Sequence, residues 1–176
     1  DLVTRLHLAL LDRAAGDVER ALGAVQQALA AAPTAGPVLQ LAAELTAAAG
    51  LPAAALQLRE QLLQHNSRGR VAHLAALMTL SRQQGLHANA GDYARQLLQA
   101  APEDPAMLTV AAEVLVECGR SDTAAAALEA ALRRQPDDSA TALALASLLA
   151  EQNQTSRALD VCRSALERVT DERART

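Results

Sequence analysis

The sequence predicts an all-α protein, an α-solenoid built of antiparallel helix pairs. A unit of 34 residues recurs five times, over residues 2–35, 36–70, 71–104, 105–138 and 139–172, with one extra residue in the second unit. Each unit carries small residues at fixed offsets and a glycine or asparagine near its middle, and three units close with a proline. Small residues let two helices approach closely, while glycine or asparagine ends a helix and proline prevents its continuation.

The fourth unit, residues 105–138, shows the pattern most clearly. Gly119 separates its two predicted helices at a point that needs a left-handed residue. Asp104 stands where its side chain can cap the first helix, and Pro105 takes the first helical position, where a missing N–H costs nothing. The positions where the two helices approach each other hold Ala112, Ala124 and Ala131.

This arrangement resembles the tetratricopeptide repeat, a 34-residue helix–turn–helix with small and aromatic residues at matching offsets. The resemblance covers nearly the whole chain, as about five tandem repeats. It implies that the repeats stack into a right-handed superhelix whose first helices line a concave face. The first repeat has Arg5 and Asp12 at two of the family's aromatic positions, a departure that fits a terminal repeat.

The other repeats keep the register with local departures. In the first repeat, Asp17 is placed to cap the second helix. In the second, Arg59 replaces an aromatic residue, and the link at residues 65–70 has one extra residue, which predicts the weakest joint. In the fifth, Asn153 takes the turn position, because asparagine tolerates the left-handed conformation.

The third repeat leaves two interpretations open. In the repeat register its second helix opens at His87, although Asn89 and Gly91 in the first turn weaken a helix. In the alternative, residues 91–93 are themselves the turn and the second helix is short.

Composition excludes several classes of function. The net charge of −4 and the single aromatic residue, Tyr93, argue against nucleic-acid binding, which needs a basic patch and stacking aromatics. No apolar run approaches the roughly 18 residues that cross a bilayer, so direct membrane insertion is not expected. The compartment stays open between cytoplasm and periplasm. An alanine- and leucine-rich core is expected, and the arginine-rich, lysine-free composition predicts a bacterial source.

The sequence contains no catalytic or metal-binding motif. It lacks a phosphate-binding glycine loop, HExxH and GxSxG, and its four histidines, expected at the surface or half-buried, have no ligand-spaced neighbours. Cys118 and Cys162 are predicted to be reduced, as buried small hydrophobes rather than nucleophiles. Glu113 and Glu117 lie four residues apart and are expected to form a solvated acidic patch. The chain is therefore predicted not to be an enzyme, with no catalytic residues, metal or cofactor.

The resemblance implies a non-catalytic protein–protein interaction scaffold that binds a peptide or helix of a partner in its concave groove. By analogy with other bacterial arrays, a role in cell-envelope assembly is expected. Two alternatives stay open. In the first, the array recruits the substrate of an enzyme, such as a glycosyltransferase, whose catalytic domain lies outside this chain. In the second, it is a purely self-assembling structural array.

In the family, positions 2, 5, 9 and 12 of each first helix face the groove. The predicted partner-binding groove consists of Leu6, Leu10, Arg13, Gln40, Glu44, Thr79, Arg82, Thr109, Glu113, Val116, Glu117, Leu143 and Ser147, with Glu151 at its border. The lysines and asparagines that grip a terminal carboxylate in some family members are missing there. We therefore predict a neutral or basic peptide whose cationic side chains lie near Glu113 and Glu117 and whose apolar anchors lie near Leu6 and Leu10. The alternative is a merely solvated groove, with binding at an edge or another repeat.

The fifth repeat ends with an apolar stripe on the side where a sixth first helix would pack. The stripe consists of Leu159, Cys162, Leu166 and Val169. Repeat arrays need polar capping elements at their ends. We therefore predict that residues 1–176 are a single array excerpted from a longer one, or that the chain self-associates at this end.

Overall fold

The computed structural model describes residues 2–65 and 69–175, with residues 169–175 described by their backbone alone. Every regular element in these residues is an α-helix, which confirms the predicted all-α class. The helices are α1 (Leu2–Ala14), α2 (Val18–Ala31), α3 (Gly36–Ala48), α4 (Pro52–His65), α5 (Arg70–Gln83), α6 (His87–Ala100), α7 (Pro105–Glu117), α8 (Ser121–Arg134), α9 (Ser139–Glu151) and α10 (Thr155–Arg175). Each predicted 34-residue unit contains one pair of helices.

The turn between the two helices of each repeat is built on one left-handed residue. The residues with positive φ at these turns are Gly16, Gly50, Gly85, Gly119 and Asn153. They occupy the predicted turn position in all five repeats, and Asn153, with a φ of 61°, fills it where glycine is missing. The short-helix alternative for the third repeat is wrong, because α6 runs unbroken through residues 91–93.

Aspartate side chains begin three of the helices. Asp17 accepts a hydrogen bond from the backbone N–H of Arg20, and Asp104 accepts one from the N–H of Met107, both at 3.1 Å. Both caps were predicted from the sequence. Asp138 caps α9 in the same way, through the N–H of Ala140, also at 3.1 Å. These contacts satisfy N–H groups that the first turn of a helix leaves without partners.

The chain folds as two compact units, Asp1–Gln84 and Gly85–Thr176, and the division falls at the turn inside the third repeat. The first unit contains α1 to α5. Its core is formed by alanine, valine and leucine at the helix-packing positions: Ala9, Ala21, Val25, Ala28, Val38 and Leu45. The predicted weak link begins at His65, and residues 66–68 of that link lie outside the described part of the chain.

The second unit contains α6 to α10, and each helix packs on the next. Its largest fully buried side chains are leucines: Leu97, Leu115, Leu128, Leu145 and Leu149. An ion pair ties α6 to the turn that precedes α8. There the Arg120 guanidinium lies 2.7 Å from the Asp92 carboxylate and covers the backbone of Gly91. The hydrogen bond and charge of Arg120 hold the pKa of Asp92 below its usual value.

Candidate partner-binding site

The second unit has an open cleft of about 550 Å³ between α7 and α9. All six groove residues predicted in this unit line it: Thr109, Glu113, Val116, Glu117, Leu143 and Ser147. On α7 these residues follow a spacing of four, seven and eight, which places them on one face of the helix. On α9, Leu143 and Ser147 are one helical turn apart. We call this surface the α7–α9 cleft.

Apart from Glu151, the rest of the α7–α9 cleft lining is alanine or leucine. It is completed by Ala112, Leu128, Ala140, Ala144, Leu148 and Glu151. Three alanines among them make the floor concave, because their short side chains leave room between the two helices. Leu148 is buried beneath the cleft, whereas Leu143 is exposed beside it. Leu148 was not among the groove residues predicted from the sequence. The signal for its second role was its place one turn after Ala144 on α9.

The charge of the α7–α9 cleft is entirely negative. Glu113, Glu117 and Glu151 lie along it, and arginine is absent from its described lining. Among the described residues, Glu113 and Glu151 make no ion pair. The hydroxyl of Thr109 donates to the carbonyl of Pro105, at 2.9 Å, so this side chain offers its methyl group rather than a free donor. The cleft therefore combines an apolar floor with exposed carboxylates.

The first unit carries a smaller cleft of about 350 Å³ between α1 and α3. Five predicted groove residues line it: Leu6, Leu10, Arg13, Gln40 and Glu44. The Arg13 guanidinium lies 2.6 Å from the Glu44 carboxylate, which also accepts a hydrogen bond from Gln40 at 3.2 Å. Glu44 was predicted to be a groove residue, without an ion-pair partner. The structure shows its charge balanced by Arg13, because the two side chains meet across neighbouring first helices.

Thr79 and Arg82 are exposed on α5 and line neither of these clefts. The Thr79 hydroxyl donates to the carbonyl of Ala75 at 2.8 Å. The predicted groove residues therefore fall into three groups: those of the α7–α9 cleft, those of the α1–α3 cleft, and the two exposed residues of α5.

The cysteines and histidines differ in part from expectation. Both cysteines are free, as predicted, but Cys118 is only half-buried and Cys162 is exposed. The burial expected for Cys162 was wrong because no helix in the described part of the chain covers that position. Of the histidines, His73 is buried in α5, deeper than the surface or half-buried placement expected.

Within the described residues, no three histidine, cysteine or acidic side chains cluster closely enough to hold a metal ion. None of the described helices combines the length and the apolar character needed to span a membrane.

Comparison with known proteins found one family model and several solved structures that are similar to this chain. Residues 109–173 match the family model described as tetratricopeptide repeat. No curated protein sequence matches the chain. The solved structures of similar fold include a MamA protein, with a TM-score of 0.71 and 16% identity, over 94% of this chain and 90% of that one.

Two other solved structures support the same fold. YrrB, described as a TPR protein with an unusual peptide-binding site, has a TM-score of 0.68 and 17% identity, over 95% of this chain and 86% of that one. MamA from Desulfovibrio magneticus RS-1 has a TM-score of 0.66 and 12% identity, over 94% of this chain and 93% of that one. Residues 109–173 therefore match the tetratricopeptide repeat family, and the fold of the described residues is similar to that of YrrB and of the two MamA structures.

Proposed function

We propose that this chain is a non-catalytic protein-interaction scaffold and that the α7–α9 cleft is its principal binding site. The observation that carries the proposal is the cleft itself, an apolar floor bordered by three carboxylates on two rigid helices. Apolar pockets supply binding energy, whereas charges placed around them select partners and speed association. The peptide-binding site named for YrrB agrees with a peptide as the type of ligand.

The ligand we propose is a peptide or helix with adjoining apolar and cationic side chains. An apolar anchor packs on Val116, Leu143 and Leu148, and an arginine or lysine lies within reach of Glu113 or Glu151. This differs from the sequence-based prediction, in which the apolar anchors lie near Leu6 and Leu10. The α7–α9 cleft offers an apolar floor and carboxylates within one site, so a single short peptide segment is long enough to contact both.

The test is selection of peptides from a random displayed library against this chain, followed by titration of the selected peptides. We expect the selected sequences to pair leucine, isoleucine or methionine with arginine or lysine. Replacing Glu113→Arg and Glu117→Arg together is expected to weaken these peptides about tenfold or more and to reverse the sign of the salt dependence.

The matched control reverses two carboxylates of the same unit that lie outside the cleft, Glu103→Arg with Asp137→Arg. Both side chains are exposed in turns, and the change in net charge is the same. This control is expected to leave affinity within about twofold, because neither side chain lines the cleft and exposed charges outside a contact contribute little. Equal binding and an equal salt slope in the cleft variant would show that the cleft is not the site.

A place in bacterial envelope assembly is the finer part of the proposal, and it rests on analogy with other arrays. Affinity capture from the source organism, using the Glu113→Arg, Glu117→Arg variant as the negative control, tests it. A partner from an envelope complex that is lost with the variant supports the role. A cleft-dependent partner of another kind contradicts it.

A further inference from the structure

The α1–α3 cleft and the α7–α9 cleft occupy matching places in the repeat but differ in charge. Both lie between the first helices of two successive repeats, and every repeat position that lines the α1–α3 cleft also lines the α7–α9 cleft. The described lining of the α7–α9 cleft has three glutamates and no arginine, whereas the α1–α3 cleft has one of each, Arg13 and Glu44. A ligand of the α1–α3 cleft therefore meets no net charge.

The opening of the α1–α3 cleft is a property of the repeat and not of the start of the sequence. Leu10 is 41% exposed, and the residues at its position in the last three repeats, Thr79, Glu113 and Ser147, are exposed as well. Helices precede and follow these three positions along the chain. The exposure of Leu10 on this side of α1 therefore does not depend on where the chain begins.

The two charged side chains of the α1–α3 cleft already bind each other. Nη1 of Arg13 donates to Oε2 of Glu44 at 2.6 Å, and Nε2 of Gln40 donates to Oε1 of the same carboxylate at 3.2 Å. A ligand cation would compete with Arg13 for the carboxylate, and a ligand carboxylate would compete with Glu44 for the guanidinium. An uncharged ligand leaves the ion pair intact.

Gln40 supplies the hydrogen-bonding groups that remain for a ligand. Its side chain is exposed, and within the described residues it makes one hydrogen bond, the one to Glu44. A side-chain amide has two N–H groups and an acceptor oxygen, so one N–H and the oxygen stay available. A peptide group offers the complementary C=O and N–H. An extended peptide has these groups free, whereas an α-helix uses them internally.

The floor of the α1–α3 cleft is aliphatic. It consists of Leu6, Leu10, Pro37 and Leu41, and Leu41 is buried. Its volume of about 350 Å³ lies near the lower end of the range for ligand sites, which is about 300–1,000 Å³. The cleft therefore suits a few aliphatic side chains of a short segment.

We propose that the α1–α3 cleft is a second peptide-binding site and that it selects an uncharged, extended segment with aliphatic side chains. These side chains pack on the leucine floor, and one peptide group of the segment bonds to the amide of Gln40. The Arg13–Glu44 pair sets the specificity, because it disfavours cationic and anionic segments alike. This site lies wholly in the first unit, so it and the α7–α9 cleft can each exist without the other.

The experiment begins with peptides selected against the unaltered chain from a displayed library that excludes arginine and lysine. Without these residues the cationic ligands of the α7–α9 cleft cannot arise. We expect peptides rich in leucine, isoleucine or valine that also lack aspartate and glutamate. Leu10→Ser and Gln40→Ala should each weaken them about threefold to tenfold, whereas Glu113→Arg with Glu117→Arg should leave them unchanged. Selected peptides that all keep their affinity for both α1–α3 cleft variants would overturn the proposal.

The charge preference is tested on both members of the ion pair. Arg13→Gln leaves Glu44 without its cation, so an arginine added beside the aliphatic residues of the peptide should then improve affinity about threefold or more. Glu44→Gln should favour an added glutamate in the same way. For the unaltered chain, either added charge should leave affinity equal or weaker. A charge preference that neither variant changes would contradict the role of the pair.

The contact with Gln40 is tested by methylating the backbone nitrogens of a selected peptide one at a time. At one position the methyl group should weaken binding to the unaltered chain about threefold or more and have no further effect on Gln40→Ala. A peptide stapled into a helix should lose affinity. Tighter binding of the stapled peptide would overturn the extended conformation.

The matched control replaces an exposed leucine and an exposed glutamine of the same unit that do not line the cleft, Leu51→Ser with Gln26→Ala. It should bind the selected peptides within about twofold of the unaltered chain, and circular dichroism should show equal helix content for all variants. An equal loss of binding in this control would attribute the effect to the fold and contradict the proposed site.

Discussion

Gly119 follows the end of α7 and has a φ of 72°, the left-handed conformation of the turn between α7 and α8. A Cβ added there meets no atom within 4 Å, so the cost of a side chain comes from the backbone alone. Gly23 offers a matched comparison inside α2, where a Cβ also meets nothing within 4 Å but φ is not positive. Comparing substitutions at these two glycines therefore distinguishes the effect of backbone conformation from the effect of steric contact.

We predict that Gly119→Ala lowers the free energy of unfolding by about 1–2 kcal/mol, the cost of a left-handed alanine. Gly23→Ala should raise it by up to about 1 kcal/mol, because alanine favours a helix over glycine. Urea denaturation followed by circular dichroism measures both. Equal effects of the same sign at the two sites would contradict the conformational explanation.

The conformation of Asn153 is one of the residue-level features that could be predicted from the sequence. Its left-handed conformation was expected from the repeat register alone, and so were the caps Asp17 and Asp104. Such features are local, because they depend on the few residues around a helix end. The partner of Glu44 was not predicted, because Arg13 lies 31 residues away and only the packing of α1 on α3 brings them together.

Between elements, α6 is held to the turn before α8 by one polar contact. The Arg120 guanidinium bonds to Asp92, and Arg95 lies 3.8 Å from the same carboxylate. Because these cations favour the charged carboxylate, the pKa of Asp92 is lower in the folded protein than the usual 3.8. A depressed folded pKa means that the stabilisation is present above the unfolded pKa and is lost as pH falls through the folded value.

We therefore predict that Asp92→Asn is destabilising at neutral pH and nearly neutral in strong acid. The carboxylate is half-exposed, so the effect at neutral pH should be at most about 1 kcal/mol. Urea midpoints at neutral pH and at a pH well below 3.8 measure it, with the exposed Asp137→Asn as the control. An equal loss at both pH values would assign the effect to packing rather than to charge.

At the scale of elements, the sequence predicted which helices exist but not how far each helix face is buried. Cys162 shares its repeat position with the buried Leu128, and the sequence alone assigned both to a core. The difference arises because α9 covers α8, whereas no described helix covers α10 in the same way. The residues of the α7–α9 cleft could be predicted because they recur at fixed repeat positions. Its concave floor could not be predicted, because it depends on where the alanines of α7 and α9 meet in the folded protein.

Within each of the two compact units, each helix contacts the next one in sequence, as helices of repeat arrays do. The free energy of unfolding of such arrays is approximately the sum of the intrinsic stabilities of the repeats and the interaction energies between neighbouring repeats. The structure divides into two compact units, and every residue that lines the α7–α9 cleft lies in the second. The binding site we propose therefore needs no side chain from the first unit.

We predict that residues 85–176, produced alone, fold into a helical unit and bind the selected cleft peptides within about threefold of the affinity of the whole chain. The physical reason is that α7 and α9 are flanked by their own neighbours, α6, α8 and α10, inside this fragment. Circular dichroism and fluorescence-anisotropy titration measure folding and affinity, with residues 1–84 as the control that should not bind. A folded fragment that binds ten times more weakly than the whole chain would show that the ligand also contacts the first unit. The α1–α3 cleft, with Leu6 and Leu10 beside the Arg13–Glu44 pair, would then be the surface to vary next.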